Sequence, residues 1–303
     1  MRPILTVGSV AFDSVKTPFG EVSRVVAGAA TYFSIAASFF TDVRLVGVVG
    51  DDFVDEHLAV FAGRRIDLDG LQRVAGETFR WRGEYNFDLN TRETIYTHLN
   101  VFEDFRPQIP DSFRSSPFVF LANIHPALQL DVLDQVEAPE FVALDTMNYW
   151  IEGTPYELRR VLARVHVLVI NDAEARELSG EANLVKAARL IQAMGPERVV
   201  IKRGEYGVLM TRDDGFFAVP GLPLEDVYDP TGAGDTFAGG FVGYLAAAPA
   251  ITDDVVTQAI IAGSTMASFA VEDFGLDRLM ALTEPQVKER FREFKRLTHF
   301  EAL

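Results

Sequence analysis

The segment DPTGAGDTFAGG, residues 229–240, indicates both the fold and the chemistry of this chain. Its glycines, Gly232 and Gly234, permit backbone conformations that a side chain would forbid, and they predict a tight turn. The small residues that follow predict the first turns of a helix. A helix amino terminus has unpaired N–H groups and a partial positive charge, so this turn is suited to bind an anion such as phosphate.

A carboxylate lies at the edge of this predicted anion site. Asp235 follows the turn directly and can act as a proton acceptor for a ligand that binds there. A phosphate site beside a base is suited to the transfer of a phosphoryl group onto a hydroxyl group. Such transfer depends mainly on positioning and charge stabilisation, so the base does not need a raised pKa. We expect the helix amino terminus to lower the pKa of Asp235.

The same segment resembles the carboxyl-terminal signature of the ribokinase-like PfkB family of sugar and nucleoside kinases. The resemblance implies that Asp235 is the catalytic base and that the N–H groups of Gly232, Ala233 and Gly234 form the anion hole. It also implies ATP as the phosphoryl donor, Thr231 in the nucleotide site, and a K⁺ ion near Asp229 and Thr231. The alternative is a helix start without a chemical role, which accounts for fewer of the matching positions.

The composition limits the classes of function. The chain has 303 residues, of which 48% are apolar, so we expect a substantial core. It has no cysteine, which excludes disulfides and thiolate metal sites. No run is long and apolar enough for a membrane span and no signal peptide is evident, so we expect a cytoplasmic protein that does not bind membranes. A net charge of −16 argues against nucleic-acid binding.

Short apolar runs alternate with helix-period segments along most of the chain. Strands are predicted at residues 4–10, 43–49, 118–121, 141–144, 165–170 and 198–201, and helices at 29–40, from Asp51 or Asp52 to about 65, 127–136, 155–162, 173–178, 184–194 and 284–297. This alternation is typical of a mainly parallel sheet with helices on both faces. We therefore expect residues 1–303 to form one ribokinase-like three-layer α/β/α domain, with ligands beyond the carboxyl ends of the strands.

Two segments, residues 16–26 and 77–105, read as extended chain without an intervening helix. They predict a small β-sheet inserted into the α/β core. In the ribokinase-like family these positions form a lid over the sugar site, and in some members the lid also forms a homodimer contact. The alternative is an ordinary hairpin. The lid aromatics either stack on a nucleobase or form the lid's own small core, and we favour the core slightly; these residues are Phe79, Trp81, Tyr85, Phe87 and Tyr96.

Two further blocks support a nucleotide site. Asn171 and Glu174 follow an apolar strand and resemble the family motif Asn-x-x-Glu, in which the glutamate helps to hold Mg²⁺; the alternative is a helix N-cap. The second block, residues 199–208, resembles the strand–turn–strand that passes under the nucleotide in this family, with Gly204 and Gly207 in the turn. Many relatives have a small hydroxyl residue near Lys202, so this lysine either contacts a phosphate or is solvated.

The remaining candidates concern the phosphoryl acceptor. By the resemblance, Asp13 binds substrate hydroxyls, and one carboxylate can accept hydrogen bonds from two neighbouring hydroxyl groups; the alternative is a turn residue at the end of the first strand. Gly28 lies in a substrate block in which the family usually has an asparagine at the position of Tyr32. Tyr32 therefore predicts an acceptor different from that of ribokinase itself. Asn100 and Asn123 are further candidate substrate contacts.

Taken together, the sequence predicts an ATP-dependent, Mg²⁺-dependent kinase that phosphorylates a hydroxyl group of a small sugar or polyol. A nucleoside is the alternative acceptor, and Tyr32 and the lid aromatics favour it. An alternative from another class is a non-catalytic sugar-binding regulator on the same fold. The intact Asp235 and its glycine turn argue against the regulator.

Overall fold

The computed structural model describes residues 1–299 and 301, and this part of the chain forms two separate sheets. The strands, in chain order, are β1 (Ile4–Val7), β2 (Ala11–Thr17), β3 (Gly20–Ala27), β4 (Val43–Val49), β5 (Ile66–Arg73), β6 (Phe79–Tyr85), β7 (Arg92–His98), β8 (Phe118–Leu121), β9 (Phe141–Asp145), β10 (Val167–Asn171), β11 (Arg198–Lys202), β12 (Val208–Arg212) and β13 (Gly215–Val219).

The α-helices connect these strands and cover the larger sheet. In chain order they are α1 (Ala29–Ala37), α2 (Asp55–Leu58), α3 (Asp111–Arg114), α4 (Pro126–Gln135), α5 (Asn148–Gly153), α6 (Pro155–Leu162), α7 (Asp172–Ser179), α8 (Leu184–Gln192), α9 (Ala233–Ala247), α10 (Asp253–Ala270), α11 (Asp277–Met280) and α12 (Glu284–Thr298). None of the helices in the described part of the chain combines the length and apolar character that a membrane span requires.

The larger sheet has nine strands in the order β13-β12-β11-β10-β9-β8-β1-β4-β5. The strands from β11 to β5 run parallel, and β12 and β13 extend the sheet as antiparallel strands. Successive side chains of a strand point to opposite faces. In β8, Val119 and Leu121 join one buried cluster, whereas Phe118 and Phe120 join the other. Helices cover both faces, which confirms the predicted three-layer α/β/α architecture.

The smaller sheet has four strands in the order β3-β2-β6-β7, and we call it the lid. Its central pair, β2 and β6, is parallel, and each outer pair is antiparallel. The lid begins at Ala11, five residues before the predicted start at residue 16. Asp13 therefore lies within the lid strand β2, because the first core strand ends at Val7.

The helix predicted from Asp51 or Asp52 to about residue 65 is wrong. The chain there forms only α2 and a short 3₁₀ turn, Ala59–Phe61. The Asp52 carboxylate instead accepts hydrogen bonds from the Thr78 main-chain N–H (2.7 Å) and hydroxyl (2.6 Å), and it pairs with Arg80 (3.0 Å). Asp52 thus holds the start of β6 against the loop after β4 and does not cap a helix.

Two other differences arise at the edges of the fold. Strand β5 has no counterpart among the predicted strands, because its sequence IDLDGLQR interrupts the apolar pattern with two aspartates and a glycine. The last helix, predicted over residues 284–297, is α12 and continues to Thr298; Phe294 is buried, but Leu297 is 43% exposed.

The parallel strands bring polar residues together at one edge of the large sheet. Asp145, Asn171 and Lys202 are the last residues of the neighbouring strands β9, β10 and β11. The amino terminus of α9 lies at the same edge, since Gly234 lies against Lys202, and the lid reaches it through Tyr85, whose hydroxyl is 3.2 Å from that of Thr231. This is the edge at which ligands of open parallel sheets bind.

Candidate active site

Residues 229–235 form the centre of the site, and we call them the anion loop. Gly232 precedes α9 and has a φ of 74°, in the left-handed region that favours glycine. A Cβ atom added at Gly232 would lie 2.5 Å from the ring of Tyr32, which is buried in α1. The left-handed backbone and the close contact with Tyr32 therefore both require glycine at this position.

The first turn of α9 has free donors, although not the same set that the sequence predicted. The Thr236 N–H donates to the Gly232 carbonyl (2.8 Å), which is the first intrahelical bond. The Ala233 N–H, which we expected in the anion hole, instead donates to the Pro230 carbonyl (3.2 Å). The N–H groups of Gly234 and Asp235 occupy helix positions that lack an intrahelical acceptor. Together with the Gly232 N–H, which has no acceptor among the described residues, they are the donors of this turn that can bind an anion.

Asp229, the first residue of the anion loop, holds the loop in place through hydrogen bonds. Its carboxylate is buried and accepts hydrogen bonds from the N–H groups of Thr231 (2.8 Å) and Gly275 (3.2 Å). Burial raises the pKa of Asp229, although these hydrogen bonds oppose the shift. The Thr231 hydroxyl lies 3.2 Å from the hydroxyl of Tyr85 in the lid. The anion loop is thus tied both to the segment after α10 and to the lid.

Asp235 lies in the first turn of α9, and its carboxyl group has an unusual environment. Burial, and to a lesser extent the charge of the nearby Asp145, raises the pKa of Asp235 to about 7 against the opposing effects of Lys202 and Arg92. The expectation that the helix amino terminus would keep this pKa low is wrong, because burial has the larger effect. A carboxyl group with a pKa near 7 is suited to accept a proton at neutral pH.

Lys202, at the end of β11, lies directly against the anion loop. Its side chain is only 17% exposed, and its Nζ atom lies 3.6 Å from a carboxylate oxygen of Asp145. A Cβ atom added at Gly234 would lie 2.8 Å from the same Nζ atom. Of the two alternatives that the sequence left open for Lys202, the solvated side chain is wrong. Burial alone would lower the pKa of Lys202, but Asp145, Glu174 and Asp235 leave it raised.

Asp145 was not among the site residues predicted from the sequence. Its carboxylate is buried at the end of β9 and accepts a hydrogen bond from the Thr146 N–H (2.8 Å). Burial raises the pKa of Asp145, and Lys202 opposes this shift. A signal was available, because Asp145 directly follows an apolar strand, as Asn171 does. The ion pair with Lys202 could not be predicted from the sequence, since the two residues belong to different strands.

Asn171 and Glu174 form a reciprocal cap at the start of α7. The Asn171 side chain accepts from the Glu174 N–H (2.8 Å), and the Glu174 carboxylate accepts from the Asn171 N–H (3.0 Å). Burial raises the pKa of Glu174 to about 7, and Asp145 adds to the shift. The capping alternative is therefore present in the structure. It leaves accepting capacity on the carboxylate, so a role of Glu174 toward Mg²⁺ stays a prediction.

The turn between β11 and β12 depends on two glycines. Gly204 and Gly207 have φ angles of 55° and 80°. A Cβ atom at Gly207 would lie 2.0 Å from the carbonyl oxygen of Val219, so the turn can pass beside β13 only with glycine there. A Cβ atom at Gly204 would lie 3.6 Å from the side-chain oxygen of Asn90, at the tip of the lid. The lid tip therefore reaches the predicted nucleotide turn.

Asp13 lies on the inner face of the lid. It is buried in β2, where its neighbour in β6 is Trp81. Burial raises the pKa of Asp13 to about 8, and the negative charges of Asp229 and Asp235 add to the shift. Gly28 lies nearby at the start of α1 and has a φ of 102°. A Cβ atom added there would lie 2.4 Å from the Ser9 carbonyl oxygen, so only glycine fits.

Trp81 and Arg92 complete the inner face of the lid. The Trp81 ring lies over Gly83, because a Cβ atom at Gly83 would lie 2.1 Å from that ring. The Arg92 guanidinium lies 5.1 Å from the centre of the Trp81 ring. Phe79, Trp81 and Tyr85 alternate along β6 and share the face that carries Asp13, but their partners differ: Phe79 packs on Phe102, whereas the Tyr85 hydroxyl contacts Thr231. Arg92 was not among the residues predicted from the sequence.

Two predicted substrate residues have structural partners. The Asn100 side chain donates to the Thr78 carbonyl (2.9 Å) at the base of the lid. The Asn123 side chain, just after β8, accepts from the indole N–H of Trp150 (2.9 Å). Neither hydrogen bond involves the anion loop, so contact of Asn100 or Asn123 with substrate stays a prediction.

Comparison with known proteins places this chain in a family. Residues 1–281 match the family described as "pfkB family carbohydrate kinase", as the signature in the anion loop predicted. The chain is 30% identical over 256 residues to the cytidine kinase of Thermococcus kodakarensis, an alignment that covers 82% of this chain and 91% of that protein.

Solved structures share the fold. The nucleoside kinase of Methanocaldococcus jannaschii superposes with a TM-score of 0.78 at 19% identity, over 97% of this chain and 99% of that one. The structure of a putative ribokinase II from E. coli in complex with ATP and Mg²⁺ gives a TM-score of 0.79 at 17% identity, over 98% and 100% of the two chains. These likenesses confirm the ribokinase-like fold.

Replacement of Gly232 tests the anion loop. We expect Gly232→Ala to weaken ATP binding by about 10-fold or more, because a Cβ atom would collide with Tyr32 and displace donors that are each worth about 1.5–3 kcal/mol toward a charged group. Isothermal titration would measure the affinity. Gly63→Ala is the matched control, since Gly63 has a φ of 71° and open space around it. Equal ATP affinity in the two variants would contradict this account of the loop.

Proposed function

Because the chain belongs to the PfkB family of carbohydrate kinases, we propose that it transfers the γ-phosphoryl group of ATP to a hydroxyl group of a nucleoside. The supporting observation is the position of Asp235, whose carboxyl group lies beside Lys202 and the free N–H groups of the anion loop. A base and a set of anion donors at one point are what phosphoryl transfer to a hydroxyl requires. Membership of a kinase family also argues against the non-catalytic regulator.

In the proposed reaction, the acceptor hydroxyl oxygen attacks the γ-phosphorus of ATP. The bond between that phosphorus and the oxygen that bridges to the β-phosphate breaks, and ADP leaves with the electron pair. The Asp235 carboxylate takes the hydroxyl proton. The N–H groups of Gly234 and Asp235 stabilise the charge on the transferred group. Asp13, on the opposite wall, accepts hydrogen bonds from other hydroxyl groups of the acceptor.

Mg²⁺ is the expected metal. When bound, it would neutralise charge on the ATP phosphates. Glu174 would hold it through water, with Asn171 beside it, because Mg²⁺ prefers oxygen ligands and keeps several waters. Among the described residues, no group of three acidic, His or Cys side chains is placed to hold a metal alone, which is compatible with phosphates and water as the other ligands. Thr231 and Asp229 are the proposed surroundings of a K⁺ ion.

A nucleoside is our first choice of acceptor, ahead of the sugar or polyol that the sequence favoured. Trp81 lies on the lid face that also carries Asp13, so a ligand whose hydroxyls reach Asp13 has an indole ring beside it. A nucleobase would stack on such a ring through its own aromatic π system, which a free sugar does not have. The 30% identical relative carries the name cytidine kinase.

Loss of the proposed base should greatly lower the turnover rate without unfolding the protein. We expect Asp235→Asn to lower kcat by about 10²–10⁴, the usual contribution of a general base. ATP affinity should change much less, because the amide keeps the size of the side chain. ADP release in a coupled assay measures kcat. Asp226→Asn removes an exposed carboxylate nearby and should leave kcat unchanged; near-wild-type turnover of Asp235→Asn would refute the assignment.

The proposed base also predicts a pH profile. Protonated Asp235 cannot accept a proton, so kcat/KM should fall as pH decreases through about 7. The charges of Asp145, Lys202 and Arg92 act on the pKa of Asp235, and burial raises the pKa of the neighbouring Asp13 to about 8. We therefore expect the main rise in activity between about pH 6 and 8. The apparent pKa values read from this rise belong to the coupled carboxyl groups together and not to Asp235 alone. A flat profile over that range would contradict a base with a pKa near 7.

The acceptor class can be tested with one lid variant. We expect the wild type to phosphorylate nucleosides at lower KM than free ribose, and Trp81→Ala to raise the nucleoside KM by about 5- to 150-fold, the range for loss of one base–aromatic contact. The ribose KM should change little. Phe87→Ala is the control, because Phe87 is a lid aromatic that is 85% exposed. An equal loss with ribose and nucleosides would show that Trp81 serves only to support the lid.

A further inference from the structure

Asp145 and Lys202 meet across the end of an intervening strand. Asp145 ends β9 and Lys202 ends β11, while β10 lies between these two strands. Their side chains bridge this gap, with 3.6 Å between the Lys202 Nζ atom and the Asp145 carboxylate. Among the described residues, Asp145 is the only carboxylate within 4.0 Å of this lysine. The pair is therefore a specific contact within the acidic site.

Asp145 is held rigidly from both sides. Its carboxylate is 8% exposed and accepts the Thr146 N–H at 2.8 Å. The buried side chain of Gln129 donates to the main-chain carbonyls of Asp145 (3.2 Å) and Ala122 (2.9 Å), which fixes the ends of β8 and β9 relative to each other. The carboxylate that faces Lys202 thus has little freedom to move. A fixed carboxylate can direct the ammonium group that it binds.

Lys202 is directed toward the anion loop. Its Nζ atom is so close to Gly234 that a Cβ atom there would lie 2.8 Å away. An anion bound to the N–H groups of Gly234 and Asp235 therefore lies within reach of the ammonium group. An ammonium group has three donors, and the contact with Asp145 requires only one of them.

The negative charge around the site explains why the ion pair of Asp145 and Lys202 is needed there. The chain has a net charge of −16, and Asp13, Glu174 and Asp235 surround the reaction point with carboxyl groups. A transferred phosphoryl group needs positive charge that is already in place, because preoriented groups do not have to reorganise during the reaction. A buried lysine without a partner would tend to lose its proton. Asp145 keeps Lys202 charged and oriented.

We propose that Lys202 is a catalytic cation that contacts the phosphoryl group during transfer, and that Asp145 is the residue that positions it. This inference rests on the kinase function proposed above. As the acceptor oxygen bonds to phosphorus and the bond to ADP breaks, negative charge spreads over the oxygens of the transferred group. The ammonium group stabilises those oxygens together with the anion loop. Lys202 itself exchanges no proton, since the acceptor proton goes to Asp235.

A double-mutant cycle with Lys202→Met and Asp145→Asn tests the proposal. We expect Lys202→Met to lower kcat by about 10²–10³, as for loss of one donor to a developing charge, with less than about 5-fold change in the KM for ATP. Asp145→Asn should lower kcat about 10-fold. In the Lys202→Met background, Asp145→Asn should have no further effect, because there is no ammonium group left to position. Lys202→Arg should recover part of the kcat lost in Lys202→Met.

Controls separate this proposal from unfolding and from failure of the proposed function. Lys202→Met leaves a buried carboxylate unpaired, so thermal melting of each variant is needed; the double variant removes both charges and should regain stability while it stays inactive. Lys186→Met and Asp213→Asn remove exposed charges of the same signs and should behave as wild type.

Three results would overturn the inference. Additive losses in the cycle would mean that Asp145 acts independently of Lys202. A raised KM for ATP with unchanged kcat in Lys202→Met would mean that Lys202 helps to bind ATP but does not stabilise the transition state. Recovery of Asp145→Asn by excess Mg²⁺ would assign Asp145 to the metal. A wild-type protein that phosphorylates neither nucleosides nor sugars would instead contradict the proposed function itself.

Discussion

The contact between Gly232 and the ring of Tyr32 is the constraint on which the site depends. The left-handed backbone of Gly232 turns the chain into α9 directly above that ring, with no room for a side chain. This turn places the N–H groups of Gly234 and Asp235 and the Asp235 carboxyl group at one point. Because α1 carries Tyr32 and packs against α9, the core of the fold determines where the anion loop lies.

The second constraint is the balance of charge around that loop. Burial raises the pKa values of Asp13, Glu174 and Asp235 to about 8, 7 and 7, so these carboxyl groups are partly protonated near neutral pH. This partial protonation reduces the repulsion that an acidic protein would otherwise exert on ATP. The same burial makes Asp235 a better proton acceptor than an exposed carboxylate. Lys202, paired with Asp145, supplies positive charge next to the loop.

The sequence predicted the parts of the site that are local in the chain. Gly232 and Asp235 were readable because a turn, a helix start and a carboxylate occur within a few residues. Lys202 was ambiguous, because its burial depends on Asp145, which is distant in sequence. Arg92 was missed because its proximity to Asp235 arises from the docking of the lid. The lid boundary was misplaced since β1 and β2 read as separate strands only once their different sheets are known.

A crystal structure with ADP, Mg²⁺, aluminium fluoride and a nucleoside tests the central claim most directly, because aluminium fluoride imitates the phosphoryl group in transfer. Our account predicts fluoride ligands within hydrogen-bond distance of the Gly234 and Asp235 N–H groups and of the Lys202 Nζ atom. It also predicts a nucleoside hydroxyl group between the aluminium and the Asp235 carboxylate. Aluminium fluoride bound away from residues 232–235, or an acceptor hydroxyl group out of reach of Asp235, would contradict it.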